Sequence, residues 1–307
     1  MEVLHFIKYF SKGFTSYFNK ISKNRAVFIF DVEDSIQDLS SETRNHDLKQ
    51  KYRDILRALL KSTEGIYQNH RIGIRINSFN SKEFEQDITL LKDLKEVQWE
   101  TILIPKVENR LEIEQVLFIL HHNNIKFNNI GIFAETRKGV SSLKEIIEPA
   151  VPELKYVIFG HADYNIDSDI FPFIHHSEVT YWKWVTNILD HMNGSNLTFI
   201  NSPCLFLKDD ELFNFTLNQL NFMCTGNYGQ MTLTHKQTEL CNQYSPTKPY
   251  VTSFPPIEKD PIAYANYILA KLVAKDADKS FCVDDKGYLM SPHEILMAQK
   301  ILISNHS

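Results

Sequence analysis

The chain alternates short apolar runs with longer segments in which apolar positions recur every three or four residues. Eight runs rich in β-branched and aromatic residues stand out: "VLHFIKY", "VFIFDVE", "RIGIRIN", "TILIPKV", "IGIFAET", "YVIFG", "LTFIN" and "MTLT". Between them, "KQKYRDILRALLKST" and "RLEIEQVLFILHHNN" have helical spacing. Strands that alternate with helices pair in parallel through right-handed crossovers. Eight such units predict an α/β fold closed as a TIM (β/α)8 barrel, whereas an open doubly wound sheet usually has fewer strands. No glycine-rich phosphate loop follows any of the runs.

The character changes after residue 245, where "NQYSPTKPYVTSFPPIEKDP" holds five of the eleven prolines. The expected organisation is a barrel over 1–245, then a proline-led linker and a helical extension over 246–307. In that extension "PIAYANYILAKLVAKDA" and "PHEILMAQKILIS" predict two helices around the turn-rich "VDDKGYLM", packed on the same barrel or on a neighbouring subunit. The aromatic and basic start, "MEVLHFIKYFSKGFTSYFNKISKNR", fits a strand and helix of the fold better than a membrane-surface helix.

Composition narrows the partners. The 307 residues carry 38 acids against 33 bases, a formal charge of -5 spread along the chain, with no basic footprint for nucleic acid. Four cysteines form no C-x-x-C pair, and neither a signal-peptide pattern nor a long apolar run is evident, so a cytoplasmic location is expected and no membrane partner. The His pairs at 121–122 and 175–176 lack metal-ligand spacing and are expected on surface loops.

Reactive groups of such a barrel gather where the strands end. The second strand ends with Asp31 and Glu33 on one face and Asp34 next; the third carries Arg75 and Asn77; the fourth ends with Lys106, the fifth with Glu135, and the sixth runs into Asp163. Asp34 and Asp163 also suit helix caps. Arg75 cannot shed its charge, so inside an apolar strand it needs an anion. Two carboxylates on adjacent strands, Glu135 and Asp163, suit Mg2+, which prefers oxygen ligands and keeps waters. A magnesium ion with open positions can chelate a 2-keto acid, with Arg75 over the developing enolate oxygen and Glu33 as the resting partner of that guanidinium.

With those residues in view, the chain resembles the citrate lyase β subunit and HpcH/HpaI aldolase superfamily. "FIFDVEDSI" is similar to F-D-L-E-D-S-V, "KQKYR" to K-x-x-A-R, "IRIN" to R-V-N, "LIPKVEN" to L-P-K-V-E, "FAETRKGV" to I-E-T-x-x-G-V and "VIFGHADYN" to F-G-x-x-D. "GQMTLTHKQTELCNQYSP" and "DDKGYLMSPHEILMAQKIL" continue the match, which runs in order over about residues 26 to 303. The resemblance implies a barrel of the phosphoenolpyruvate/pyruvate type that assembles as a trimer or hexamer. It implies Mg2+ held by Glu135 and Asp163, Arg75 on the bound acid, Glu33 and Asp34 in catalytic support, and Lys106 at the substrate. Backbone amides near His161, Ala162 and Asp163 would cradle a substrate carboxylate, and His161 would supply a base or line the mouth.

The expected activity is carbon-carbon lyase or aldolase chemistry on a hydroxy acid through a metal-stabilised enolate. Two alternatives stand beside it, a coenzyme A thioester lyase or hydrolase of the malyl- or citryl-CoA type and a non-catalytic barrel that binds Mg2+ and a dicarboxylate. Against the thioester reading, Ser291 stands where such relatives carry an aspartate, and a hydroxyl cannot replace a carboxylate in proton transfer at neutral pH.

Overall fold

The structure is a computed structural model and describes residues 1–7, 13–33, 41–62, 67, 69–246, 260–274 and 282–305. Eight parallel strands close into a barrel in chain order. They are β1 (Glu2–Ile7), β2 (Val27–Asp31), β3 (Ile72–Arg75), β4 (Trp99–Ile104), β5 (Phe127–Ala134), β6 (Leu154–Phe159), β7 (Thr198–Asn201) and β8 (Tyr228–Thr232). Around them run α1 (Phe14–Ile21), α2 (Glu42–Ser62), α3 (Phe84–Asp93), α4 (Arg110–His122), α5 (Arg137–Ser141), α6 (Leu143–Ile147), α7 (His161–Asp167), α8 (Val179–Met192), α9 (Asp210–Met223) and α10 (His235–Gln243). A C-terminal unit follows: α11 (Pro261–Ala274), a hairpin of β9 (Cys282–Val283) and β10 (Leu289–Met290), and α12 (Pro292–Asn305).

The period of two along each strand divides the core. Leu4, Phe6, Val27, Ile29, Leu103, Phe133, Tyr156, Ile158, Ile200 and Met231 fill the barrel interior. Residues of the other phase, among them Ile7, Phe28, Phe30, Ile72, Ile74, Ile132 and Val157, pack outward against the helices. This phase explains the arginine in "RIGIRIN". Ile72 and Ile74 serve the outer layer, while Gly73 and Arg75 share the inner face. At Gly73 a β-carbon would come within 2.7 Å of Ile29 Cδ1, so the narrow interior beneath Arg75 has no room for a side chain.

The aromatic start of the chain belongs to the barrel. β1 pairs with β2 and β8, and Phe14, Phe18 and Ile21 of α1 are buried, Phe18 edge-on to Phe28 at 5.4 Å. Each fully buried phenylalanine contributes about 1.5–3 kcal/mol, which offsets the cost of ordering this segment. The C-terminal unit packs on its own barrel. Ala265, Ile268, Tyr288, Leu289, Met290, Ile295 and Ala298 form one apolar cluster with Leu205 from the segment after β7. Backbone hydrogen bonds join the same parts: Leu207 N donates to Gly287 O at 2.8 Å and Leu289 N to Leu205 O at 2.9 Å.

One expectation fails at the histidine pairs. His121 and His122 end α4 and are exposed, but His175 and His176 are only 1% and 0% exposed. The physical reason lies in what covers them. The ring of His175 packs edge-on to Phe206 and Tyr288, with Tyr288 brought from the C-terminal unit, and His176 lies against Tyr181. Of the proline-led linker, residues 247–259 lie outside the described residues.

Candidate active site

The charged residues expected at the strand ends converge on one mouth, and the strand phase explains why. On the inner face β2 ends in Asp31 and β3 in Arg75, which are register partners across the β2–β3 ladder. Arg75 donates from Nε to Asp31 Oδ1 at 2.8 Å and from Nη2 to Asp31 Oδ2 at 2.6 Å. Its Nη1 lies 2.9 Å from Glu33 Oε2. Asp31, more than Glu33, is thus the resting partner of the guanidinium. The register that selects it is a tertiary fact that the spacing of the two acids leaves open. The rings of Phe6 and Phe133 flank the guanidinium carbon at 5.4 and 5.3 Å, adding cation–π attraction on faces that water would otherwise hydrate.

Glu33 is shared. Lys106, in a left-handed backbone conformation with φ 54° after β4, donates from Nζ to Glu33 Oε1 at 2.7 Å and lies 3.5 Å from Asp163 Oδ1. The same conformation turns the Lys106 amide toward Glu135, whose Oε1 it meets at 2.8 Å. A non-glycine residue held there costs about 1–3 kcal/mol, which two contacts to acids offset. Below, Lys49 from α2 donates to Glu33 O at 2.9 Å and to Asn77 Oδ1 at 2.6 Å, and the buried Arg53 pairs with Asp87 and Glu83. These supports fix the β2 and β3 ends from behind.

Glu135 continues the inward phase of β5 and is 1% exposed. Its carboxylate lies against Gly160, where a β-carbon would stand 2.2 Å from Glu135 Oε2. The glycine therefore leaves a cradle that the carboxylate fills. Asp163 follows in the first turn of α7, its side chain 17% exposed. Both acids line one cavity of about 320 Å3 with Asp31 and Arg75. Among the described residues no group of three or more His, Cys, Asp or Glu side chains is placed to hold a metal ion. Two carboxylate donors facing an open cavity nevertheless fit Mg2+, which takes oxygen ligands and fills its remaining positions with water.

His161 and Ala162 line the same cavity. The amide of His161 is already donated to Ser202 Oγ at 3.2 Å, so it is not available to a substrate carboxylate in this conformation. His161 itself is fully buried, and burial pushes its imidazole well below the usual histidine range. Its Nδ1 hydrogen-bonds Ser202 Oγ. Ser202 continues the inward phase of β7 two residues beyond Ile200, and it is not among the site residues expected from the sequence. Asp34 lies outside the described residues. Ser291 caps α12, its Oγ accepting the Glu294 amide at 3.1 Å.

Comparison with known proteins agrees with this architecture. The family model described as HpcH/HpaI aldolase/citrate lyase matches residues 24–200. No curated protein matches the chain by sequence. Among solved structures, a citrate lyase from Burkholderia xenovorans LB400 superposes with a TM-score of 0.63 at 14% identity, covering 99% of this chain and 91% of that one. RipC from Yersinia pestis gives 0.58 at 16% identity, covering 80% and 96%. The citrate lyase β subunit from M. tuberculosis, complexed with oxaloacetate and magnesium, gives 0.57 at 14% identity, covering 78% and 95%.

Proposed function

The chain belongs to the HpcH/HpaI aldolase/citrate lyase family, and from that premise we propose that it is a Mg2+-dependent carbon-carbon lyase acting on a hydroxy acid. The observation that carries the reading is the meeting of Glu135, Asp163 and Arg75 on one cavity, two hard anionic donors beside a fixed cation. In this reading Glu135 and Asp163 hold the metal. When bound, Mg2+ supplies Lewis-acid stabilisation of the enolate oxygen. Arg75, held by Asp31 and flanked by Phe6 and Phe133, presents its charge to the acid without reorganising. Lys106 bridges Glu33 toward Asp163 and orients both. Support for the metal also comes from the M. tuberculosis relative, crystallised with magnesium and oxaloacetate.

The coenzyme A thioester reading has less support. Ser291 is 8% exposed and is used as a helix cap, so it offers no acid or base to a thioester. The test is Mg2+-dependent exchange of pyruvate methyl protons with D2O, followed by proton NMR, in wild type and Glu135→Gln. Exchange that requires Mg2+ and is lost in the variant is the expected result; metal-independent exchange, or full exchange in Glu135→Gln, overturns the assignment.

A further inference from the structure

A line of hydrogen bonds leaves the barrel mouth and ends inside the C-terminal unit. Ser202 Oγ meets His161 Nδ1, and His161 Nε2 lies 3.3 Å from His175 Nδ1. His175 Nε2 lies 3.1 Å from the Tyr288 hydroxyl, which donates to Glu294 Oε1 and Oε2 at 2.9 and 2.8 Å. None of the five residues is more than 4% exposed. A bare structural role would not need five polar groups in series; each buried member costs free energy unless its neighbour completes it.

The proton order can be read from the far end. Glu294 accepts from two phenols, Tyr288 and, at 3.0 Å, Tyr264. Burial, and then the nearby Glu294, keep Tyr288 protonated far above the usual tyrosine range. Tyr264, which also lies within hydrogen-bonding reach of Tyr288, gives its own hydrogen to Glu294; with the Tyr288 hydrogen on the same carboxylate, the Tyr288 oxygen accepts from His175 Nε2–H, and His175 Nδ1 carries no hydrogen. A neutral imidazole carries one N–H. His161 therefore donates from Nε2, and its bare Nδ1 accepts the Ser202 hydroxyl hydrogen. At Ser202 a lone pair is already taken by the His161 amide, which agrees with that direction.

Resting on the enolate reading above, we infer that Ser202 is the proton-transfer residue of this site and that Glu294, reached through His161, His175 and Tyr288, is its proton store. In cleavage the substrate hydroxyl proton passes to Ser202 Oγ as the serine proton passes to His161 Nδ1. The Nε2 proton of His161 moves to His175 Nδ1, that of His175 to Tyr288, and the phenolic proton to Glu294. The electron pair left on the substrate oxygen closes the new carbonyl as the carbon-carbon bond breaks, and the electrons of that bond form the enolate. Reverse transfer returns the proton to the enolate carbon. Each group between the ends is neutral before and after, and both imidazoles have exchanged tautomer. Ser202 lines the cavity and is catalytic in this scheme; His175, Tyr288 and Glu294 act through His161 and are positioning residues.

The test uses the full chain with pyruvate and Mg2+ as probes. Tyr288→Phe removes one oxygen and keeps the ring, Glu294→Gln keeps shape and removes the store, and Ser202→Ala removes the contact with substrate. Each is expected to slow methyl-proton exchange by roughly 10–100-fold, with the calorimetric Mg2+ dissociation constant and the melting temperature of Ser202→Ala close to wild type. In protein labelled with 15N-histidine, His161 Nδ1 is expected at the unprotonated shift in wild type and at a mixed-tautomer shift in Tyr288→Phe, a change that mere packing would not produce. Exchange within twofold of wild type in all three variants, or a protonated His161 Nδ1 in wild type, overturns the inference. Wild type without any Mg2+-dependent exchange would remove the lyase reading, and with it the catalytic role of Ser202; the nitrogen spectrum decides the relay order separately.

Discussion

Asp31 and Arg75 face each other as register partners on adjacent parallel strands, joined by two hydrogen bonds between a planar fork and a carboxylate. Both are nearly buried, so the pair is worth most when intact: deleting Arg75 leaves the Asp31 carboxylate buried without its cation. Arg75→Met is expected to lower the unfolding free energy by about 3 kcal/mol in urea titrations. Adding Asp31→Asn should recover part of that loss, and strictly additive losses would contradict the pairing. Arg75→Lys keeps the charge but loses the fork, and calorimetry should show pyruvate binding weakened at least tenfold.

Gly160 determines where the Glu135 carboxylate lies. A methyl group there would overlap Glu135 Oε2 at 2.2 Å, and the carboxylate has to move. Gly160→Ala is expected to weaken Mg2+ binding at least tenfold by calorimetry, approaching Glu135→Gln, although it removes no ligand. Wild-type affinity in Gly160→Ala would show that the cradle does not set the ligand.

Lys106 places an ammonium 3.5 Å from Asp163, beside the proposed metal position. That charge holds Glu33 but repels a divalent cation. Lys106→Met should therefore raise Mg2+ affinity roughly three- to tenfold at low ionic strength, an effect that fades in salt, while proton exchange on pyruvate falls. A weaker Mg2+ affinity would mean that Lys106 orders the ligands more than it opposes the metal.

Three buried histidines, His5, His176 and His161, make stability depend on pH in the same direction. Burial pushes His5 down to about 3, with His235 adding to the effect, and burial pushes His176 down to about 4 despite its hydrogen bond to Ser202 O. Unfolded, each takes a proton near its ordinary value of 6.5. Between 6.5 and these depressed values the unfolded chain binds more protons, so the stability they contribute is present above 6.5 and is lost as pH falls. By pH 5 each is expected to have removed about 2 kcal/mol. His5→Gln should lower the loss between pH 7.5 and 5 by about one such share, read from urea midpoints; an unchanged loss would mean that His5 is protonated in the folded state.

The strand pattern gave the barrel and the set Glu33, Arg75, Lys106, Glu135 and Asp163, because alternation and strand ends are local properties. What it left open is long-range. Which acid meets Arg75 depends on the β2–β3 register, and the burial of His175 depends on Tyr288, 113 residues away in sequence. Ser202 carries no motif of its own, and Tyr288 and Glu294 lie in the matched stretch "DDKGYLMSPHEILMAQKIL" at positions that the match does not mark as functional. They become visible only when the C-terminal unit is laid on the barrel, although the inward phase of "LTFIN" extended two residues beyond Ile200 does point at Ser202.

The cavity is divided chemically, and that division predicts substrate preference. Asp31, Arg75, Glu135 and Asp163 come from the ends of β2, β3 and β5 and the start of α7, whereas the barrel and the C-terminal unit jointly supply an apolar lining of Leu205, Leu207, Leu233, Val283 and Leu289, with Ser291 and His293 as the polar members the C-terminal unit adds. The acid end of a substrate belongs with Arg75. Beyond the reacting carbon a second carboxylate would be desolvated against leucines, while a hydrocarbon tail gains about 25 cal/mol for each Å2 it buries. Straight-chain 2-ketohexanoate is therefore expected to bind at least fivefold tighter than 2-ketoglutarate in the presence of Mg2+. Leu289→Lys should reverse the order by adding a cation to that wall. Tighter binding of 2-ketoglutarate to wild type would place the tail of the substrate elsewhere.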